Sequence, residues 1–264
     1  MKNQYFGDIG DFSKFLLISA LIPTGLKIGL NWYLTKDDGK TDGRHIDYLN
    51  KEEFLKSDSE LCQFLKGSIE KGRRNIHEAR AFPRFSQIRF FEDLLDLDEI
   101  SSRTPQGRQE RIHRREEWFS KSLMQLSDRD LIFCDPDNGI AARKMKPTLK
   151  TSVKHIFQNE IEDMLDAGFS LVLYNHRDRQ PEAAYLEKLR NIHTKENTIE
   201  TRIIRFSRYS VRDYIFLIQR DHQERVSFVL DRFLGEGKWK NQFREVAIYP
   251  EKKPKPSSQE ERSL

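Results

Sequence analysis

Leu131-Ile132-Phe133-Cys134-Asp135-Pro136-Asp137-Asn138-Gly139 is an unbroken apolar run that stops at two carboxylates, a proline, a carboxamide and a glycine. A short run that is apolar at every position has the pattern of a strand buried on both faces, as in a parallel sheet covered by helices. In open α/β sheets, ligands bind beyond the carboxyl ends of the strands, and that is where this polar cluster falls. Pro, Asp, Asn and Gly are also the commonest turn formers, so a plain turn is the competing reading. A second apolar segment, 169–174, runs likewise into Asn175-His176-Arg177-Asp178-Arg179. The recurrence of polar groups at strand ends favours a site.

Outward from this stretch, strands and helices alternate. Asp11 is the expected N-cap of a buried helix that ends before Pro23 and Gly25. A strand over 26–34 runs into a loop rich in carboxylates and glycines, 35–44. From about 51 to 126 the apolar spacing is mostly helical, broken by a short strand at 88–91 and a polar stretch at 101–107. Helices are expected over 156–167, 185–192 and 224–234. Strands at 200–206 and 214–219, joined by the short link 207–213, can only be antiparallel.

These elements predict an α/β fold: a doubly wound, mainly parallel, Rossmann-like sheet with a C-terminal antiparallel hairpin. One domain is expected over 1–249, with a helical insertion at about 51–126. The Lys-, Pro-, Ser- and Glu-rich tail, 250–264, is expected to be disordered.

Of the 264 residues 33% are charged, yet the formal net charge is only +4, so the total alone identifies no polyanion binder. The basic residues gather in patches at 71–74, 108–115, 143–150, 177–179 and 202–212. That distribution suits a groove for nucleic acid, with solvated helix faces as the plainer alternative. The two cysteines, Cys62 and Cys134, have neither disulfide-scaffold nor zinc-ligand spacing. Met1-Lys2-Asn3-Gln4 has no signal-peptide features, and no apolar run approaches the roughly 20 residues that span a bilayer. The expected setting is the cytoplasm, without membrane contact.

The order of elements, with a strand ending in Asp135-Pro136 and a closing hairpin, resembles that of class I adenine-N6 methyltransferases. Their corresponding strand ends in [DNS]-P-P-[YFW]. That resemblance implies S-adenosylmethionine as cofactor and a nucleic-acid base as methyl acceptor. The chain departs from it at two places. Asn31-Trp32-Tyr33-Leu34-Thr35-Lys36-Asp37-Asp38 has no glycine until Gly39, where the family places a glycine-rich cofactor turn. Asp137 and Asn138 replace the second proline and the base-stacking aromatic.

The same stretch resembles the uracil-DNA glycosylase superfamily, in which a strand runs into Asp-Pro and a Gly-x-Ala follows. Here Asp135-Pro136 precedes Gly139-Ile140-Ala141, and Asn175-His176 corresponds to part of the family's His-Pro-Ser loop. That resemblance implies a carboxylate that positions water and a donor to the departing base, with no cofactor.

Hydrolysis of a glycosidic bond requires such an inventory. Asp135 is expected to position water, His176 or Asn31 to donate to the leaving base, and Asp8 to complete the catalytic set. Asp137 and Asn138 are expected to read the base, with Asp11 and Lys14 either joining them or only neutralising the first helix. Lys144, Arg177, Arg179 and Arg208 are candidates for phosphate contact, and Phe6, Trp32 and Tyr33 for base stacking, as a flipped base requires.

The favoured expectation is therefore a cofactor-free, metal-free DNA glycosylase acting on a modified base such as those of phage DNA, in antiviral defence. Methyl transfer with S-adenosylmethionine is the alternative. A metal-dependent nuclease using the same carboxylates comes third, and a non-catalytic nucleic-acid-binding module fourth.

Overall fold

A computed structural model of the chain describes residues 1–39, 43–177, 180–190, 192, 199–235 and 242–248. β1 (Ile28–Asn31) and β3 (Leu131–Cys134) are buried along their whole length because both are interior strands of one sheet. The sheet has seven strands, in the order β2 (Arg89–Phe91), β1, β3, β6 (Ser170–His176), β8 (Ser210–Gln219), β7 (Ile199–Arg208), β9 (Phe243–Glu245). The first four are parallel; β8 enters antiparallel between β6 and β7, and β9 pairs antiparallel with β7. This is the expected Rossmann-like α/β architecture with its terminal hairpin.

Alternation along the strands divides the core in two. Leu131 and Phe133 pack with α1 (Ile9–Leu21), Phe54 of α2 (Glu52–Ser57), α3 (Ser59–Glu70) and α7 (Arg220–Gly235). Ile132 and Cys134 face the other way, toward α4 (Pro105–Gln125), α5 (Gln158–Asp166) and α6 (Glu182–Arg190). The continuous apolar runs thus arise because both faces are covered.

Several boundaries differ from the sequence expectation. The first helix is capped by Asp8, whose carboxylate accepts from Gly10 N and Asp11 N at 2.7 and 3.1 Å. Asp11 is not the N-cap; it sits inside the first turn, where its carboxylate reaches Gly7 N and Lys14. The hairpin link shrinks from 207–213 to Tyr209 alone, because the cross-strand ladder continues to Arg208↔Ser210. A two-stranded parallel pair, β4 (Gly139–Ile140) and β5 (His155–Ile156), was not anticipated. The tail 250–264 lies outside the described residues.

β4 locks the loop after β3. Gly139 has φ +88, and a Cβ there would overlap the Asn175 side chain, whose Cα would lie only 2.8 Å away. Asn175 in turn accepts from Ile140 N at 2.9 Å. Gly139→Ala is therefore expected to lower stability by about 1–3 kcal/mol through overpacking and a disfavoured φ. Denaturant unfolding checks this, and an unchanged midpoint would show that the loop is not locked.

Candidate active site

Pro136 cannot donate to a ladder, so β3 ends at Cys134 and the chain turns. Asp135 and Asp137, whose two-residue spacing keeps them on one side of the chain, both line one cavity of about 630 Å³. The cap and first two turns of α1 contribute Asp8, Asp11 and Lys14, the loop contributes Asn138, and the sheet contributes Tyr174, His176 and Arg212. In the β6–β8 ladder Tyr174 lies opposite Tyr214 and His176 opposite Arg212, so one face presents all four. The cavity opens at the carboxyl ends of the parallel strands, where open α/β sheets bind ligands. A larger groove of about 860 Å³, lined by Leu16, Pro23 and Phe228, lies at the opposite end of α1 and has no histidine on its walls.

At the base of the cavity Lys14 is held between two buried carboxylates, Asp11 at 2.8 Å and Asp135 Oδ2. Burial alone would lower the Lys14 pKa, but the two carboxylates outweigh it and keep the ammonium charged. Burial pushes Asp135 above the ordinary aspartate value, and Lys14 opposes that shift. Asp135 Oδ1 has no hydrogen-bond partner among the described residues. Asp137 behaves differently: burial pushes it up, but the Met1 ammonium, Lys2 and Lys154 outweigh burial and hold it below the usual range. Two carboxylates two residues apart are thereby given different proton affinities.

The sheet side carries a polar relay. Arg212 Nε donates to Tyr174 Oη at 3.2 Å, and Tyr174 Oη lies 2.9 Å from His176 Nε2. With the tyrosine oxygen accepting from arginine, a relay in which its own proton goes to Nε2 requires the neutral imidazole to carry its proton on Nδ1. Removal of water from the inner side of the otherwise exposed ring, together with the Arg212 charge, lowers the His176 pKa below its ordinary value of 6.5. A lowered histidine pKa means that the folded state binds fewer protons than the unfolded state. His176 therefore removes stability as pH falls through 6.5 toward its folded value. Imidazole ¹⁵N spectra are expected to show the Nδ1–H form at neutral pH, and Tyr174→Phe to yield a mixture of tautomers. A dominant Nε2–H form in the unaltered protein would contradict the relay.

Several residues expected at the site lie elsewhere. Phe6, Trp32 and Tyr33 are fully buried and cannot stack on a base. Phe6 meets Phe15 edge-on in one core, Trp32 stacks on Phe90 in the same core, and Tyr33 packs on Trp118 in the other. Asn31 sits behind the cavity with its Oδ1 accepting from Tyr33 N, so it is not placed to reach a base. Lys144 is exposed and away from the cavity. Arg177 bonds Gln180 O and lies over the Tyr185 ring, while Arg208 reaches Glu53 at 3.4 Å. Arg179 falls outside the described residues.

Tyr174 and Arg212 were missed. The period-two spacings Tyr174/His176 and Arg212/Tyr214 were the signals that put them beside the expected histidine. Among the described residues no group of three or more His, Cys, Asp or Glu side chains is arranged to hold a metal ion, and no helix is long and apolar enough to cross a membrane. The chain matches no protein-family model and no curated protein.

Proposed function

We propose that the cavity hydrolyses the N-glycosidic bond of a flipped nucleotide in DNA. The observation that carries this reading is Asp135, buried and clamped through Oδ2 by Lys14, with Oδ1 left for a water in the cavity that also holds His176. In the proposed step the water oxygen bonds to C1′ as the C1′–N bond breaks, its electron pair passing to the base. Asp135 takes the water proton and offsets the positive charge at the sugar, and His176 Nδ1–H donates to the departing base. Asp8, Asp137 and Asn138 are left to read polar substituents, which suits a modified base.

The residues at the strand ends do not fit S-adenosylmethionine. Tyr33 takes φ 46, the backbone region that favours glycine, but its bulky ring fills the second core. The crevice between the ends of β1 and β3 is closed by Met1, whose amine donates to Tyr33 O and Asp135 O at 3.1 and 3.2 Å. Thr35 N donates to Met1 O at 2.8 Å. One observation favours methyl transfer: the antiparallel β8 inserted between β6 and β7, like the closing hairpin of the class I enzymes. For a nuclease, lysines already contact Asp11, Asp135 and Asp137, where a metal ion would have to bind.

Duplex DNA with modified or unmodified bases, incubated with the protein in EDTA, is expected to gain alkali-labile abasic sites. Strand cleavage that needs no alkali and stops in EDTA would replace this reading with a nuclease. Micromolar S-adenosylmethionine binding by calorimetry, without abasic sites, would replace it with methyl transfer.

A further inference from the structure

Among the described residues five arginines are buried, and four of them each make three or more side-chain hydrogen bonds to protein acceptors. Arg115 grips Glu160 at 2.7 and 2.9 Å, Arg202 grips Glu245 at 2.7 Å, and Arg205 grips Asp213 at 2.7 and 2.9 Å. Arg111 bonds the carbonyls of Leu97, Ile100 and Leu149. Arg212 is the exception. It is 5% exposed and, like Arg111, makes no ion pair among the described residues, but it lacks the three carbonyl acceptors that Arg111 has. Its single side-chain hydrogen bond is to the Tyr174 hydroxyl, and Nη1 has no partner.

Burying an unpaired cation costs several kcal/mol, and folded proteins avoid it by pairing. Here four carboxylates line the same cavity as Arg212, yet none pairs with it; Lys14 takes Asp11 and Asp135, and Lys2 and Lys154 take Asp137. Asp8 spends its Oδ1 on the α1 backbone. The guanidinium lies against Gly10, where a Cβ would come within 3.3 Å of Nε and Nη2. The missing side chain leaves room for the planar group; with Nε bonded to Tyr174 and Nη1 buried, Nη2 is the donor left for a phosphate oxygen.

We propose that Arg212 is the seat for a phosphate group of the nucleotide that enters this cavity. This rests on the nucleotide reading of the cavity and deepens it: the bound unit is a nucleotide gripped through its phosphate, not a free base. Arg44 and His45, on the same wall, add exposed donors to it. The volume of about 630 Å³ falls within the range of small-molecule sites, roughly 300–1,000 Å³.

Binding isolates the proposal from catalysis. The four deoxynucleoside 5′-monophosphates, the four deoxynucleosides and inorganic phosphate are titrated by NMR into the unaltered protein, Arg212→Gln and Gly10→Ala. At least one monophosphate is expected to bind tenfold or more tighter than its nucleoside, with that ratio falling to within twofold in Arg212→Gln. Gly10→Ala keeps the arginine but sets a Cβ 3.3 Å from its Nε and Nη2 and 2.9 Å from Asp8 Oδ1; it is expected to lower the ratio, and the thermal midpoint reports the accompanying disturbance of the Asp8 cap.

A ratio near one in the unaltered protein, or a ratio unchanged in both variants, overturns the seat. Inorganic phosphate binding as tightly as the monophosphate overturns the nucleotide assignment. Phosphate discrimination without base release defeats the glycosidic reading alone. Base release with discrimination unaffected by both variants defeats the seat alone.

Discussion

Asp135→Asn is expected to reduce base release by roughly 10³-fold or more while leaving the fold intact. The amide is nearly isosteric, but it cannot take a proton from water or offset positive charge at C1′, contributions of about 10²–10⁴-fold for a positioned base. Lys14 keeps a carboxylate partner in the variant, because Asp11 remains 2.8 Å away. No second unpaired charge is created on that side. Rates of alkali-labile site formation, measured with excess protein over DNA, isolate the chemical step, and the thermal midpoint reports the fold. A variant that releases base at the original rate would remove Asp135 from its assigned role.

The second large effect concerns stability. Lys14→Met leaves Asp11 and Asp135 buried without their shared cation, and breaking a buried pair from one side costs about 3–5 kcal/mol. The lost partner also pushes both carboxyl pKa values further up, since Lys14 opposes the burial-driven rise at each. A carboxyl raised above its unfolded value of 3.8 binds more protons folded than unfolded in the window above that value. Its stability contribution therefore falls as pH rises. The deficit of the variant is expected to be greatest at neutral pH and to shrink as pH is lowered toward about 4. Urea unfolding across that range checks the slope. Adding Asp135→Asn should recover part of the loss, because one of the two stranded charges disappears; a double variant less stable than Lys14→Met would contradict the coupling.

The central strands were legible because burial on both faces leaves a continuous apolar run, and 131–134 and 169–174 had no other good reading. β4 and β9 were not, since two or three residues are too few to display a period. The cap of α1 was misplaced because Asp8 and Asp11 are equally good capping residues. Only the hydrogen bonds to Gly10 N and Asp11 N distinguish them.

The aromatic residues misled for a related reason. Phe6, Trp32 and Tyr33 stand next to polar site residues in the chain, and nothing local shows that their rings turn inward. Arg212 escaped notice because the sequence reading placed it in the polar link 207–213, where an arginine is expected to face solvent. β8 extends into that link as an interior strand, and both its charged residues, Arg212 and Asp213, are enclosed.

The place of β8 between β6 and β7 also sets an order of assembly. The acidic half of the cavity comes from residues up to Asn138, which a ribosome delivers early, whereas Arg212 arrives on a strand that must enter between neighbours on both sides. Synthesis runs from the amino end, and long-range pairings close late. A nascent chain therefore carries its carboxylates well before it carries the residue that orients Tyr174 and His176. Whatever this cavity does, it gains that ability only once nearly the whole sheet has been made.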